Sequence, residues 1–157
     1  MALSTSRKSE ETKVMATLER DDGRARVAAL RSATAVALWT ARGAALVLLA
    51  LGVYIWAGGS DQLITVHVVV GVLLVLSLWT IAAIAAASGV SAVVIGFAVV
   101  WSFVAVLLGM SQEGLVTGDW HWTIQALHLV IAMAMVGWCQ VLVVLMRRAG
   151  STRASRI

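Results

Sequence analysis

The chain has 157 residues, of which 61% are hydrophobic and only 13% charged, with a formal net charge of +4 and a mean hydropathy of +0.93. Soluble domains are about half apolar, so this balance excludes an ordinary water-soluble fold and leaves too little polar chain for a second globular domain. The single cysteine, Cys139, and the lack of any Cys-x-x-Cys motif argue against an internal disulfide and against thiol-based attachment of a metal or cofactor.

From the N-terminus, the stretch from Arg7 to Arg42 mixes eight basic with five acidic residues. Residues 24–42, "RARVAALRSATAVALWTAR", predict a basic amphipathic helix on the inner leaflet; the alternative is a flexible tail carrying ordinary inside charges. The first apolar run begins after roughly 35 polar or mixed residues, too long an n-region for a cleaved signal peptide. Four apolar runs then follow, from about Leu38 to Ala57, Gln62 to Ala87, Ser91 to Met110 and Trp120 to Met146. Each is long enough, at about 1.5 Å per residue, to cross about 30 Å of hydrocarbon. The breaks "GGSD", "ASGVS" and "SQEGLVTGD" carry turn chemistry, and Asp61 (or Ser60) and Asp119 stand where caps of the second and fourth helices belong. No proline occurs, so nothing forces a kink. The expected fold is all-α: an integral membrane, antiparallel four-helix bundle over residues 38–146, with a tail at 1–37 and a basic tail at 147–157.

All 12 Lys and Arg lie between Arg7 and Arg42 or between Arg147 and Arg156, and none lies in a connecting loop. The positive-inside rule therefore places both termini in the cytoplasm and the loops around Asp61, Glu113 and Asp119 outside. The basic residues are not interleaved with aromatics on a folded face, so nucleic-acid binding is not expected. Ten Arg against two Lys, with abundant Ala and Val, points to a GC-rich bacterial genome, and hence to a multi-pass protein of the bacterial cytoplasmic membrane.

Two histidines interrupt otherwise apolar spans. His67, in "LITVHVVVG", and His128, in "IQALHLVIA", both fall roughly 7–12 Å below the outer interface. Ionisable groups at such depth are costly and usually functional. Helices two and four are diagonal in an up-down bundle, about 12–14 Å apart if neighbours pack at about 8–10 Å. Two imidazoles can then reach one iron from opposite sides, with a flat macrocycle fitting above the small residues Gly71 and Ala132, one turn further in. The carbonyls of Leu63 and Ile124, four residues back, are candidate acceptors for the outer ring nitrogens. Trp101 and Phe103 are expected to pack on the macrocycle. No cation stands on the outer side, so His121, Gln62, Gln125 and the indole N–H groups of Trp120 and Trp122 are left to meet its propionates. The competing readings are histidines that hydrogen-bond between helices, or that bind another pigment. His121, seven residues before His128 on the same face, reads as an interfacial polar residue rather than as half of a separate metal site. The halves echo each other weakly, each a hairpin with a histidine near the outer end of its second helix. As a repeat they would be related by a two-fold axis along the membrane normal, which would make the imidazoles face one another.

Trp56, Trp120 and Trp122 read as an outer aromatic belt, Trp39 as part of the inner one, and Trp79 and Trp138 as packing or lipid contacts. Gly43, Gly52, Gly96 and Gly109 read as permitting close helix approach, Gly52 also as lining a cofactor.

On these residues the chain resembles one half of a heme A synthase, a family with two four-helix bundles, each holding a histidine pair on its second and fourth helices for heme. The resemblance covers about residues 38–146 and implies heme ligation by His67 and His128. It departs from that family in carrying one bundle, no outer cysteine pair, and no acidic residue near a histidine beyond Asp61 at the helix cap. Four-helix membrane b-type cytochromes are similar in outline, although many hold two hemes on four histidines. The resulting expectation is a membrane cytochrome with one bis-histidine heme b that carries electrons between the quinone/quinol pool or a membrane partner and an extracytoplasmic acceptor. It is expected to act as an electron carrier rather than a stand-alone enzyme. The alternatives are an accessory or pigment-binding subunit packed among other membrane subunits of a respiratory or photosynthetic complex, and a heme-handling protein.

Overall fold

The computed structural model describes residues 2–60, 62–112 and 114–154. Asp61, Glu113 and Arg156, expected in a cap, a loop and the terminal tail, lie outside the described residues. The fold is all-helical: α1 (Ala2–Trp56), α2 (Gln62–Ala87), α3 (Ala92–Ser111), a 3-10 turn (Gly118–Trp120) and α4 (His121–Ala154). All four α-helices are long and apolar enough to cross a membrane.

The chain divides into two compact units, residues 1–33 and 34–157. The first is helical and solvent-facing, with Val14, Met15 and Leu18 exposed and an exposed Arg24–Asp21 ion pair at 3.7 Å. The helix of the first span begins well before Leu38, because no proline or glycine pair breaks residues 2–37 and a lone Gly23 is tolerated.

The connections are set by glycine. After α1, Gly58 takes φ +87° while Gly58 N–H donates to Ile55 O and Gly59 N–H to Tyr54 O, both at 3.0 Å. After α2 the same pattern recurs: Gly89 at φ +84°, Gly89 N–H to Ala86 O and Val90 N–H to Ala85 O, both at 3.1 Å. These are Schellman closures, which satisfy terminal carbonyls that lipid could not. Gly89→Ala is expected to lower stability by about 1–2 kcal/mol, the cost of a Cβ in the left-handed region, read as a fall in the thermal midpoint in detergent. At the start of α2, Ser60 Oγ accepts from Gln62 N–H at 3.3 Å. Asp119 does not cap α4; it sits within the 3-10 turn that precedes it.

The core of the second unit follows from residue size and helical spacing. On α2, His67, Gly71, Leu74, Leu78, Ile81 and Ala85 recur at intervals of four, three, four, three and four, and the last four are buried. On α4, His128, Ala132, Met135, Cys139, Leu142 and Met146 repeat those intervals, with Met135, Cys139 and Leu142 buried. This is a heptad-like seam, and each histidine stands at the end of its own. Helices α1 and α3 offer small residues instead: Ala37, Ala41, Ala44, then Leu48 and Gly52 on α1, and Ala98, Ser102, Ala105, then Gly109 on α3. Small residues let backbones approach closely, which is how helices associate where lipid removes the hydrophobic drive.

Helices α2, α3 and α4 pack on one another pairwise. Helix α1 meets α2 where Gly52 faces His67, and α4 where Arg42 Nη2 donates to Gln140 Oε1 at 3.3 Å. Arg42 also lies 5.1 Å above the Trp39 ring. Cα atoms of α2 and α4 come within 8 Å, so the two helices that a square bundle would set on a diagonal are in direct contact. The small faces of α1 and α3 explain this, because they leave α2 and α4 free to meet across the middle. The buried hydroxyls are satisfied locally: Ser77 Oγ donates to Leu73 O at 2.8 Å, and Ser102 Oγ donates to Val99 O while accepting from Trp79 Nε1 at 3.0 Å.

Candidate functional site

His67 lies five residues into α2 and His128 seven into α4, both near the end of the bundle that carries the α1–α2 and α3–α4 connections. Each ring points inward because it continues the buried seam of its helix by one heptad step. Both side chains are half-buried, and their ring centroids stand 6.4 Å apart with a 45° angle between planes. A metal–imidazole bond of about 2 Å plus about 1.1 Å from ring nitrogen to ring centre would put two trans imidazoles roughly 6.2 Å apart. The observed spacing is close to that value and also falls within the range of about 4.5–7 Å over which packed rings ordinarily meet.

Nδ1 of His67 and Nδ1 of His128 are buried without a hydrogen-bond partner, and they are the only such side-chain nitrogen or oxygen atoms among the described residues. The expected bonds to the carbonyls of Leu63 and Ile124 are therefore not made by these nitrogens. An orphaned buried polar group costs about 1–3 kcal/mol. Every buried serine in the bundle avoids that cost, whereas the two imidazoles that face each other do not.

Glycines complete the site. A Cβ at Gly109 on α3 would lie 2.8 Å from His128 Cε1 and 3.4 Å from both ring nitrogens, and a Cβ at Gly52 on α1 would lie 3.7 Å from His67 Cε1. Gly43 and Gly96, read like them as sites of close helix approach, would meet nothing within 4 Å. They fall off the packed faces, whereas Gly52 and Gly109 end the small-residue ladders. Gly109, read from the sequence as a site of close helix approach, is one, but its neighbour, the His128 ring, was not foreseen. The signal for Gly109 was the spacing of Ala98, Ser102, Ala105 and Gly109, which puts all four on one helical face.

The other expected site residues are placed as follows. Gly71 is half-buried with open space where a side chain would be, and Ala132 is half-buried one turn below His128. Trp101 donates from Nε1 to Ile131 O at 3.0 Å and stacks on Phe97 at 6.1 Å, while Phe97 also meets Trp138 at 5.3 Å. Phe103 is half-exposed and pairs with Trp79 at 5.5 Å. His121 donates from Nδ1 to Val116 O at 2.9 Å, which ties the loop to the start of α4, and Gln125 is half-buried one turn further on. Among the described residues no group of three or more His, Cys, Asp or Glu side chains gathers to hold an ion.

No protein-family model, curated protein or solved structure matches the chain.

Proposed function

We propose that this protein is a multi-pass membrane cytochrome that binds one heme b between His67 and His128 and serves electron transfer. The observation that carries the reading is the pair of facing imidazoles at 6.4 Å, each with a buried, unpartnered Nδ1. Opposed ligands without a third donor gathered among the described residues suit a macrocycle, which brings four nitrogens of its own, better than a bare ion. Gly71 and Ala132 leave room beside the rings, and His121, Gln62, Gln125, Trp120 and Trp122 stand at the same end to meet propionates through hydrogen bonds and water. When bound, the heme would be held by His67 and His128 and would supply a one-electron Fe(III)/Fe(II) couple. The chain's own contribution is to hold the two rings at fixed separation and angle in apolar surroundings that exclude competing ligands.

The antiparallel arrangement is supported by contacts that run in opposite chain order. Gly52 meets His67, yet ten residues earlier on α1 Arg42 meets Gln140, twelve residues beyond His128 on α4. On α3, Gly109, Trp101 and Phe97 meet His128, Ile131 and Trp138 in turn. With the cationic residues confined to the two terminal stretches, both termini are cytoplasmic and the histidine end faces outward. The site lies in a bacterial cytoplasmic membrane and exchanges electrons with the quinone pool or a membrane partner and with an acceptor outside.

The test is a pair of visible spectra of the full chain purified in detergent, oxidised and then reduced. A low-spin b-type spectrum is expected. A colourless protein would instead favour an accessory subunit of a larger complex, a magnesium-pigment spectrum a light-harvesting role, and a chemically altered heme a heme-handling protein.

A further inference from the structure

The two histidines are not held alike. His67 faces Gly52 at a distance that an added methyl group would meet as ordinary van der Waals contact, 3.7 Å. His128 lies so close to α3 that a methyl at Gly109 would overlap its Cε1 at 2.8 Å and press on both ring nitrogens at 3.4 Å. We infer that Gly109 is a positioning residue: its missing side chain lets the His128 imidazole rest on the bare backbone of α3, which sets the plane of that ring and the 45° angle it makes with His67. The inference rests on the heme reading above and deepens it.

The ladder beneath Gly109 explains why the backbone is there to rest on. Ala98, Ser102 and Ala105 are all nearly inaccessible, at 0%, 1% and 4% exposure, so α3 is drawn against its neighbours along the whole face that ends in Gly109. A larger residue at Ala105, the rung one turn below Gly109, would hold that end of α3 away and free the ring. Helix α1 lacks the last part of this device, because half-buried Leu48 stands one turn below Gly52. The His67 plane is accordingly less constrained from its own side. Were both imidazoles to hold one iron, the angle between their planes would affect how its d orbitals split, and with it the largest g value of the ferric state and the reduction potential. Gly109 thus tunes the site without touching the iron.

The experiment compares the full-length chain with G109A and with G96A, the same change on the same helix in open space. Ferric electron paramagnetic resonance spectra and midpoint potentials are recorded, together with heme loss to an apoprotein acceptor. G109A is expected to displace the largest g value, shift the potential and lose heme roughly tenfold faster, the consequence of forcing a methyl into a filled site. G96A is expected to change none of these. In H128G the tethered ring is gone, so free imidazole added to H128G and to H128G/G109A is expected to restore the same six-coordinate spectrum in both, since an untethered ring chooses its own plane. If G109A fails to accumulate, H128G/G109A must accumulate, because the ring that meets the methyl has been removed; failure of both overturns the inference. Unchanged g values in a heme-bearing G109A protein also overturn it while leaving the heme reading intact. A wild-type chain without low-spin heme overturns both.

Discussion

Purified His128→Ala protein is expected to lose the reduced b-type spectrum while keeping its helical content, and His67→Ala is expected to do the same. Each imidazole would supply one of only two bonds from protein to metal. Removing a partner that merely orients a ligand already costs about 10–100-fold in metal affinity, so removing the ligand itself should cost more than about 100-fold. The sign of the effect on stability makes the test sharper. In cofactor-free protein each ring carries a buried Nδ1 without a partner, so replacing either histidine by leucine removes an orphan and should stabilise the fold by about 1–3 kcal/mol. In heme-loaded protein the same substitution removes ligand-linked stability and should destabilise it. Thermal midpoints of His67→Leu and His128→Leu, measured with and without added heme, should therefore move in opposite directions. A histidine that simply bridged two helices would give a loss in both.

Ala98→Leu is expected to be the most damaging single change away from the histidines. Ala98 is fully buried on the ladder of α3 that faces the bundle. Overpacking of a filled site costs about 1–3 kcal/mol and sometimes more. In a bilayer no hydrophobic term between helices compensates, because lipid chains are as apolar as the added side chain. The leucine can therefore be accommodated only by moving α3 outward. Denaturation in mixed detergent should show the loss, with Ala98→Ser close to wild type. Ala98 lies eleven residues from Gly109, about 16 Å along the helix, far enough for the two sites to act independently. The surviving folded fraction of Ala98→Leu should retain the wild-type spectrum, which separates stability of the bundle from integrity of the site.

Much of this architecture was legible from local patterns. The limits of α2 and α3 were read to within one residue, because Gly89 and the glycine-rich stretch after Trp56 punctuate runs whose apolarity is otherwise unbroken. The span from Leu38 and the amphipathic helix over 24–42 were read as separate pieces, whereas one helix runs from Ala2 through both, because polarity ends a span without ending a helix. The same confusion of span with helix placed the end of α4 at Met146 rather than Ala154. His67 and His128 were paired by depth, by the diagonal placement of their helices and by the weak echo of the two halves, and the structure brings those two rings together. Trp79 and Trp138, read as packing or lipid contacts, meet Phe103 and Phe97.

Hydropathy and helical period are properties of neighbouring residues on one chain, so the sequence by itself determined four apolar helices long enough to cross a membrane, their breaks, and the inward face on which each histidine stands. The distance between helices is not such a property. It depends on which side chain of one helix meets which of another, and here the alanine and glycine faces of α1 and α3 decide how near α2 comes to α4. Only the tertiary structure therefore decided that the rings stand 6.4 Å apart, that their Nδ1 atoms are left without partners, and that Gly109, not Gly43 or Gly96, lies against an imidazole.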